Sequence, residues 1–137
     1  MVATIEQLRG VPLFAGLPDK ALTQVLALAK EVDHESGKPI LEEDHSGVGF
    51  HLILEGNATV DVSGTEVARF GPGDYFGEMS IIDGLPRSAT VTAAVDVRTL
   101  AITSWDFEGL MEQHPSMMRA MLVELSGRIR QIEKTRS

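Results

Sequence analysis

The sequence predicts an α+β fold, mainly β: an antiparallel β-barrel or jelly roll flanked by N-terminal and C-terminal helices. Apolar residues recur at three-four spacing near both ends of the chain, the stripe of an amphipathic helix. Between the ends the period changes to short β-branched runs, punctuated by Gly, Pro and Asp about every eight to twelve residues. The length, 137 residues, suits one domain spanning 1–137 that buries about two-thirds of its unfolded surface.

Residues 4–32 read as helical. Val11-Pro12-Leu13-Phe14 reads as a turn whose apolar residues enter the core. Asp19 is the expected N-cap of the next helix, whose stripe is Leu22, Val25, Leu26 and Ala29.

Residues 33–104 read as the barrel. Strands are expected at 50–54, 58–62, 66–70, 89–93 and 97–102. Ala58-Thr-Val-Asp-Val62 alternates clearly, and Ser63-Gly64 reads as a tight hairpin turn. Glu42-Glu43-Asp44 is most simply a solvated acidic turn.

Residues 105–135 read as helical again. Ser104 or Asp106 is expected to cap a short helix carrying Phe107, Leu110 and Met111. Pro115 ends that helix and opens another. Met118, Leu122, Leu125, Ile129 and Ile132 then form a heptad-like seam. The seam either packs on its own domain or joins two copies through residues 116–135. Gly127 would allow a bend or a close helix approach.

Charge narrows the function. Twenty acids face twelve Lys and Arg, and the chain has no cysteine. Between His45 and Met118 the cations are Arg69, Arg87 and Arg98, against ten acids. A nucleic-acid partner needs a basic stripe, and none is present. Arg128, Arg130, Lys134 and Arg136 read as a solvated helix end that complements the helix dipole. No apolar run reaches membrane length, and Met1–Glu6 lacks the features of a secretory signal, so no membrane partner and a cytoplasmic location are expected.

One stretch carries chemistry. Gly71-Pro72-Gly73 forces a turn, and Gly77 opens a brief apolar run, Met79 to Ile82. A helical turn beginning near Gly77 aims free backbone N–H groups outward, which attracts phosphate. Arg87 can grip a phosphate through two parallel hydrogen bonds, with the Ser88 hydroxyl beside it. Glu78 can accept from sugar hydroxyls. These residue types suit a sugar phosphate, although a Glu and an Arg in one loop are more often an ion pair or solvated surface.

Phe76-Gly-Glu-Met-Ser-Ile-Ile-Asp-Gly-Leu-Pro-Arg-Ser-Ala-Thr-Val91 resembles the phosphate-binding cassette of cyclic nucleotide-binding domains: F-G-E, an aliphatic turn, a variable loop, then R-[ST]-A-[TS]-V. The similarity extends to Val11–Phe14 with Leu17, to Gly56, Gly71, Gly73 and Asp74, and to Phe107 and Pro115. It covers residues 8–134. The resemblance implies a cyclic nucleotide ligand. Glu78 would accept from the ribose 2′-hydroxyl, and Arg87 would pair with the cyclic phosphate. The N–H groups of Gly77 and Met79 would help hold phosphate and sugar. Ser88 would contact the phosphate, and Ala89 would line the wall. Val60, Val67 and Ala68 are further expected pocket residues. Thr at the position of Ser88 favours cGMP in some eukaryotic members, and Ser resembles bacterial cAMP receptors, so cAMP is expected ahead of cGMP.

Two positions depart from the family pattern: Glu43-Asp44 where Gly-Asp is usual, and His51 where Tyr is frequent. No helix-turn-helix follows residue 130, so the expectation is a stand-alone sensor for an unidentified effector protein, signalling through its C-terminal helix. A nucleotide-independent protein-interaction module on the same fold is the alternative. No catalytic residues are expected, because no nucleophile–base arrangement stands out. No metal site is expected from His34, His45, His51 and His114, which lack ligand spacing. Trp105 is expected to pack in the core or at a helix start.

Overall fold

The computed structural model describes residues 3–42 and 49–136. The Glu43-Asp44 turn and His45 lie outside the described residues, as does the Arg136 side chain.

Helix α1 (Ile5–Arg9) starts with a reciprocal cap. The Gln7 N–H donates to Thr4 Oγ1 at 3.3 Å, and the Thr4 N–H donates to Gln7 Oε1 at 2.8 Å. Helix α2 (Pro12–Ala15) is one turn opened by Pro12, and Val11, Leu13 and Phe14 are buried as the sequence suggests. In α3 (Asp19–Leu28) the N-cap is Pro18, with extended backbone, and Asp19 is the first helical residue rather than the cap. Its carboxylate pairs with Arg9 of α1 instead.

The helical zone ends sooner than 32. Ala29 turns extended at ψ 156°, and strand β1 (Lys30–His34) follows. Strands β2 (Pro39–Leu41), β3 (Phe50–Glu55), β4 (Ala58–Val62), β5 (Thr65–Phe70) and β6 (Tyr75–Phe76) precede a short helix α4 (Glu78–Asp83). Strands β7 (Thr90–Ala93) and β8 (Val97–Ile102) follow it. Two antiparallel sheets result, in the orders β1-β8-β3-β6 and β2-β7-β4-β5. The β4–β5 hairpin turns at Ser63 (φ 51°) and Gly64 (φ 83°), the pair of left-handed residues that matches strand twist.

The side-chain period of two divides the core. Leu100 and Ile102 of β8, with Phe50 and Leu52 of β3, face the helices. Val97 and Ile53 face the barrel interior with Ala58, Val60, Phe76 and Val91. Phe50 is the hub of the helical side. It stacks on Phe107 at 4.5 Å and meets Phe14 edge-on at 6.0 Å. Truncating a buried Phe of this kind costs about 3–5 kcal/mol.

Helix α5 (Ser104–Gln113) is capped by Thr103, whose Oγ1 accepts from the Asp106 N–H at 3.2 Å. Ser104 and Asp106, the expected caps, fall inside the first turn. Trp105 is 82% exposed and packs in no core. Helix α6 (Pro115–Arg136) rests on the domain through Met117 and Met121. Of the expected seam, Met118, Leu122, Ile129 and Ile132 are exposed and Leu125 is half-buried, so the seam is not sunk into the domain core. A Cβ on Gly127 would have no neighbour within 4 Å, which excludes a close helix approach there among the described residues.

Candidate functional site

Strand β5 leads into the Gly71–Asp74 turn, which is docked rather than loose. The Gly71 N–H donates to Asp74 Oδ2 at 2.8 Å. The Ile53 N–H donates to the Asp74 carbonyl, and the Gly73 N–H donates to the Ile53 carbonyl, each at 2.9 Å. This fastens β6 beside β3, with Phe76 opposite His51.

Gly77 then reverses the chain with φ +97° and serves as the N-cap of α4. A Cβ there would lie 2.4 Å from the Gly49 carbonyl oxygen, so both conformation and space require glycine. Gly84, at φ +70°, closes α4 with its N–H on the Ser80 carbonyl.

The loop after α4 returns Arg87 beneath the α4 N-terminus. Arg87 is only 3% exposed. Its Nη1 donates to the Gly77 carbonyl at 2.7 Å and its Nη2 to the Gly49 carbonyl at 3.0 Å. Nε is buried without a partner among the described residues. Burial lowers the guanidinium's pKa, and the Glu78 charge raises it. A buried cation held by carbonyls and beside a single carboxylate retains capacity for an anion.

Glu78 is also 3% exposed. Burial pushes its carboxyl upward, opposed by its backbone hydrogen bond, Arg128 and Arg87. Arg128 of α6 donates from Nη1 to Glu78 Oε1 at 3.4 Å and from Nη2 to Glu124 Oε1 at 2.8 Å.

These groups border a cavity of about 130 Å³. Gly77, Glu78, Met79, Arg87, Ser88, Ala89 and Val60 line it, together with Leu41, Phe70, Phe76, Ser80, Val91 and Arg128. Its wall is polar at the α4 N-terminus and apolar opposite. Val67 is 59% exposed, and neither it nor Ala68 lines the cavity. The register shift between Val60 and Asp61 interrupts the alternation that would have turned these β5 residues inward.

Arg128 is the site residue that the sequence reading assigns elsewhere. It belongs to no solvated basic patch; it reaches the cavity across 50 residues of sequence. The local signal is Glu124 one turn before it, an i,i+4 pair that orients the guanidinium.

His51 underlies the site. Its ring stacks on Phe76 at 5.3 Å, and Phe76 stacks on Phe70 at 5.9 Å. His34 meets His51 edge-on at 6.0 Å and shares a 3.0 Å hydrogen bond with Thr99 Oγ1. Burial, His34 and Arg87 together push His51 down to about 4. Among the described residues no group of three or more His, Asp or Glu could hold a metal ion. No described helix is long and apolar enough to cross a membrane.

Comparison with known proteins places the geometry in a family. Residues 31–114 match the model of the cyclic nucleotide-binding domain. The chain is 30% identical over 131 residues to a cyclic AMP receptor protein of Thermus thermophilus, covering 92% of this chain and 61% of the relative. It is 34% identical over 127 residues to the Pycsar effector protein BcPycTIR of Burkholderia cepacia, covering 91% of this chain and 41% of the relative. The chain thus spans less than two-thirds of the length of either. Among solved structures, the Thermus thermophilus catabolite activator protein superposes with a TM-score of 0.80 at 29% identity, over 90% of this chain and 61% of that one.

Proposed function

The chain belongs to the cyclic nucleotide-binding domain family, and from that premise we propose that it is a cytoplasmic, non-enzymatic receptor for cAMP. The observation that carries this reading is Arg87: a buried guanidinium fixed by the Gly77 and Gly49 carbonyls, with Nε unpartnered, beside Glu78 on the cavity wall. The cyclic phosphate sits on Arg87, Ser88 and the N–H groups of Gly77 and Met79. Glu78 accepts from the ribose 2′-hydroxyl. Val60, Ala89 and the Phe76 ring cover the apolar parts of the ligand. Ser88 supports cAMP ahead of cGMP.

Output runs through α6, which reaches the site through Arg128. A ligand that interacts differently with two positions of α6 shifts the balance between them. The outward seam of α6 supports a second copy as the partner over residues 116–135, with the effector protein reading the resulting surface. Sedimentation of the wild type and of Ile129→Glu checks the homodimer: the variant should be monomeric where the wild type is not.

Titration calorimetry with cAMP and cGMP tests the receptor reading. Saturable binding, tighter for cAMP, is expected. A folded protein that binds neither at millimolar concentration would be a nucleotide-independent interaction module.

A further inference from the structure

Helices α4, α5 and α6 enclose a second hollow, of about 360 Å³, on the helical side of the domain. Its apolar wall is formed by Ile82 of α4, Met111 of α5, and Met118, Met121, Leu122 and Leu125 of α6. Its charged lining is Glu108 and Glu112, one turn apart on α5. A further hollow continues along α6, where Leu122 and Leu125 meet Ile129, Arg130 and Glu133. Leu122 and Leu125 line both, so one apolar strip runs from Met118 to Ile129. We propose that a second copy docks on this strip with its α6 running antiparallel to the first. The proposal rests on the second-copy reading above and adds the seat and the direction.

Spacing sets the geometry. Met118, Leu122, Leu125 and Ile129 follow one another at four, three and four residues, a pattern that reads the same in either direction. An antiparallel copy therefore presents the same strip, with the two-fold axis between Leu122 and Leu125. Met118 then faces Ile129 of the second copy, and Leu122 faces Leu125 of the second copy. Met118, Leu122 and Ile129 are exposed, so docking covers apolar surface that the single chain leaves in water. Methionines on the wall adapt to an incoming isoleucine.

Charge selects the direction. The Met118 end carries Glu108 and Glu112, whereas residues 128–134 carry Arg128, Arg130 and Lys134 against Glu133. Arg119 lies on α6 outside the lining of either hollow. Glu108, Glu112 and Arg130 form no ion pair among the described residues. Antiparallel docking brings Arg130 of each copy to the acidic end of the other. Parallel docking would gather four carboxylates at one end and set Arg130 against Arg130. The apolar contact is similar either way, so modest rim charges are enough to choose.

The chain has no cysteine, so single cysteines report direction without background. Met118→Cys and Ile129→Cys, one carrying a tag that changes its mass, are oxidised with diamide at a concentration where the wild type sediments as a dimer. A disulfide needs Cα atoms about 4–7 Å apart. Antiparallel copies hold their two 118 positions about 16 Å apart along the axes. The mixture should therefore give the tagged–untagged dimer, and either variant alone should stay uncrosslinked. Crosslinking of either variant alone overturns the antiparallel dock and marks a parallel one. Dimers that crosslink in no combination place the contact elsewhere and overturn it too. In sedimentation at low salt, Arg130→Glu and Glu112→Arg should each weaken the dimer about threefold, and the double variant should recover it. A double variant no stronger than the single ones overturns the charge pairing. A wild type that sediments as a monomer throughout would instead sink the second-copy reading itself, and calorimetry with cAMP would still decide the receptor reading.

Discussion

The carbonyl oxygen of Gly49 stands 2.4 Å from the place where a Cβ on Gly77 would lie. Two backbones from distant parts of the chain meet there, and Arg87 bonds to both carbonyls. Gly77→Ala meets this contact and a φ of +97° together. It should cost at least about 2 kcal/mol of stability and weaken cAMP binding. Gly71→Ala, where a Cβ meets nothing within 4 Å, is the control and should behave as wild type. Thermal unfolding of the pair checks both.

Arg87→Ala removes the proposed phosphate anchor and leaves the Gly77 and Gly49 carbonyls without these donors. Affinity for cAMP should fall at least about tenfold, in line with a charged hydrogen bond's ~1.5–3 kcal/mol. Stability should fall as well. Arg87→Lys should rescue little, because an ammonium lacks the planar fork that spans both carbonyls. Calorimetry beside a melting curve separates the two losses.

His51 makes acid unfolding informative. Its pKa is about 4 in the fold against an ordinary 6.5, so the fold favours the neutral ring. That contribution is fully present above pH 6.5 and is lost as pH falls towards 4, amounting to at most about 3 kcal/mol. His34, also lowered by burial, acts with the same sign. Glu78, raised by burial, acts oppositely and gains stability as it protonates. His51→Phe keeps the stack on Phe76 and should flatten the wild-type loss of Tm between pH 6.5 and 4. An unchanged slope would contradict the assignment to His51.

Much of this fold is legible in the residues. Ala58–Val62 coincides with β4 because alternation and β-branched content agree there, and Val97–Ile102 coincides with β8 as an apolar, β-branched run that follows a turn. The cassette reads clearly because Gly77 and Gly84 punctuate α4 at both ends. The misses share a cause. Strand β1, Lys-Glu-Val-Asp-His, lies at a sheet edge with little burial, so its composition resembles a solvated helix end. Strands β2 and β6 have three and two residues, too few to show a period. The caps at Pro18 and Thr103 sit one residue before Asp19 and Ser104 and three before Asp106, close to the ordinary scale of boundary error. Arg128 escaped because its local signal, Glu124 one turn before it, says nothing of a contact 50 residues away.

The pairing of β1 with β8 sets Lys30 opposite Ala101 and His34 opposite Val97. During synthesis the barrel therefore closes late. The helix-side core behaves alike, since Leu8, Phe14 and Leu22 wait for Phe107, Met117 and Met121. At about 5–20 residues per second, the gap between Leu22 and Met121 lasts roughly five to twenty seconds. Throughout that interval the apolar faces of α1, α2 and α3 on the nascent chain lack part of their cover, meeting at most Phe50, Leu52 and the later strand residues before Phe107, Met117 and Met121 arrive. Chaperone binding during translation should concentrate on those first helices, and destabilising changes there should reduce yield before they reduce affinity.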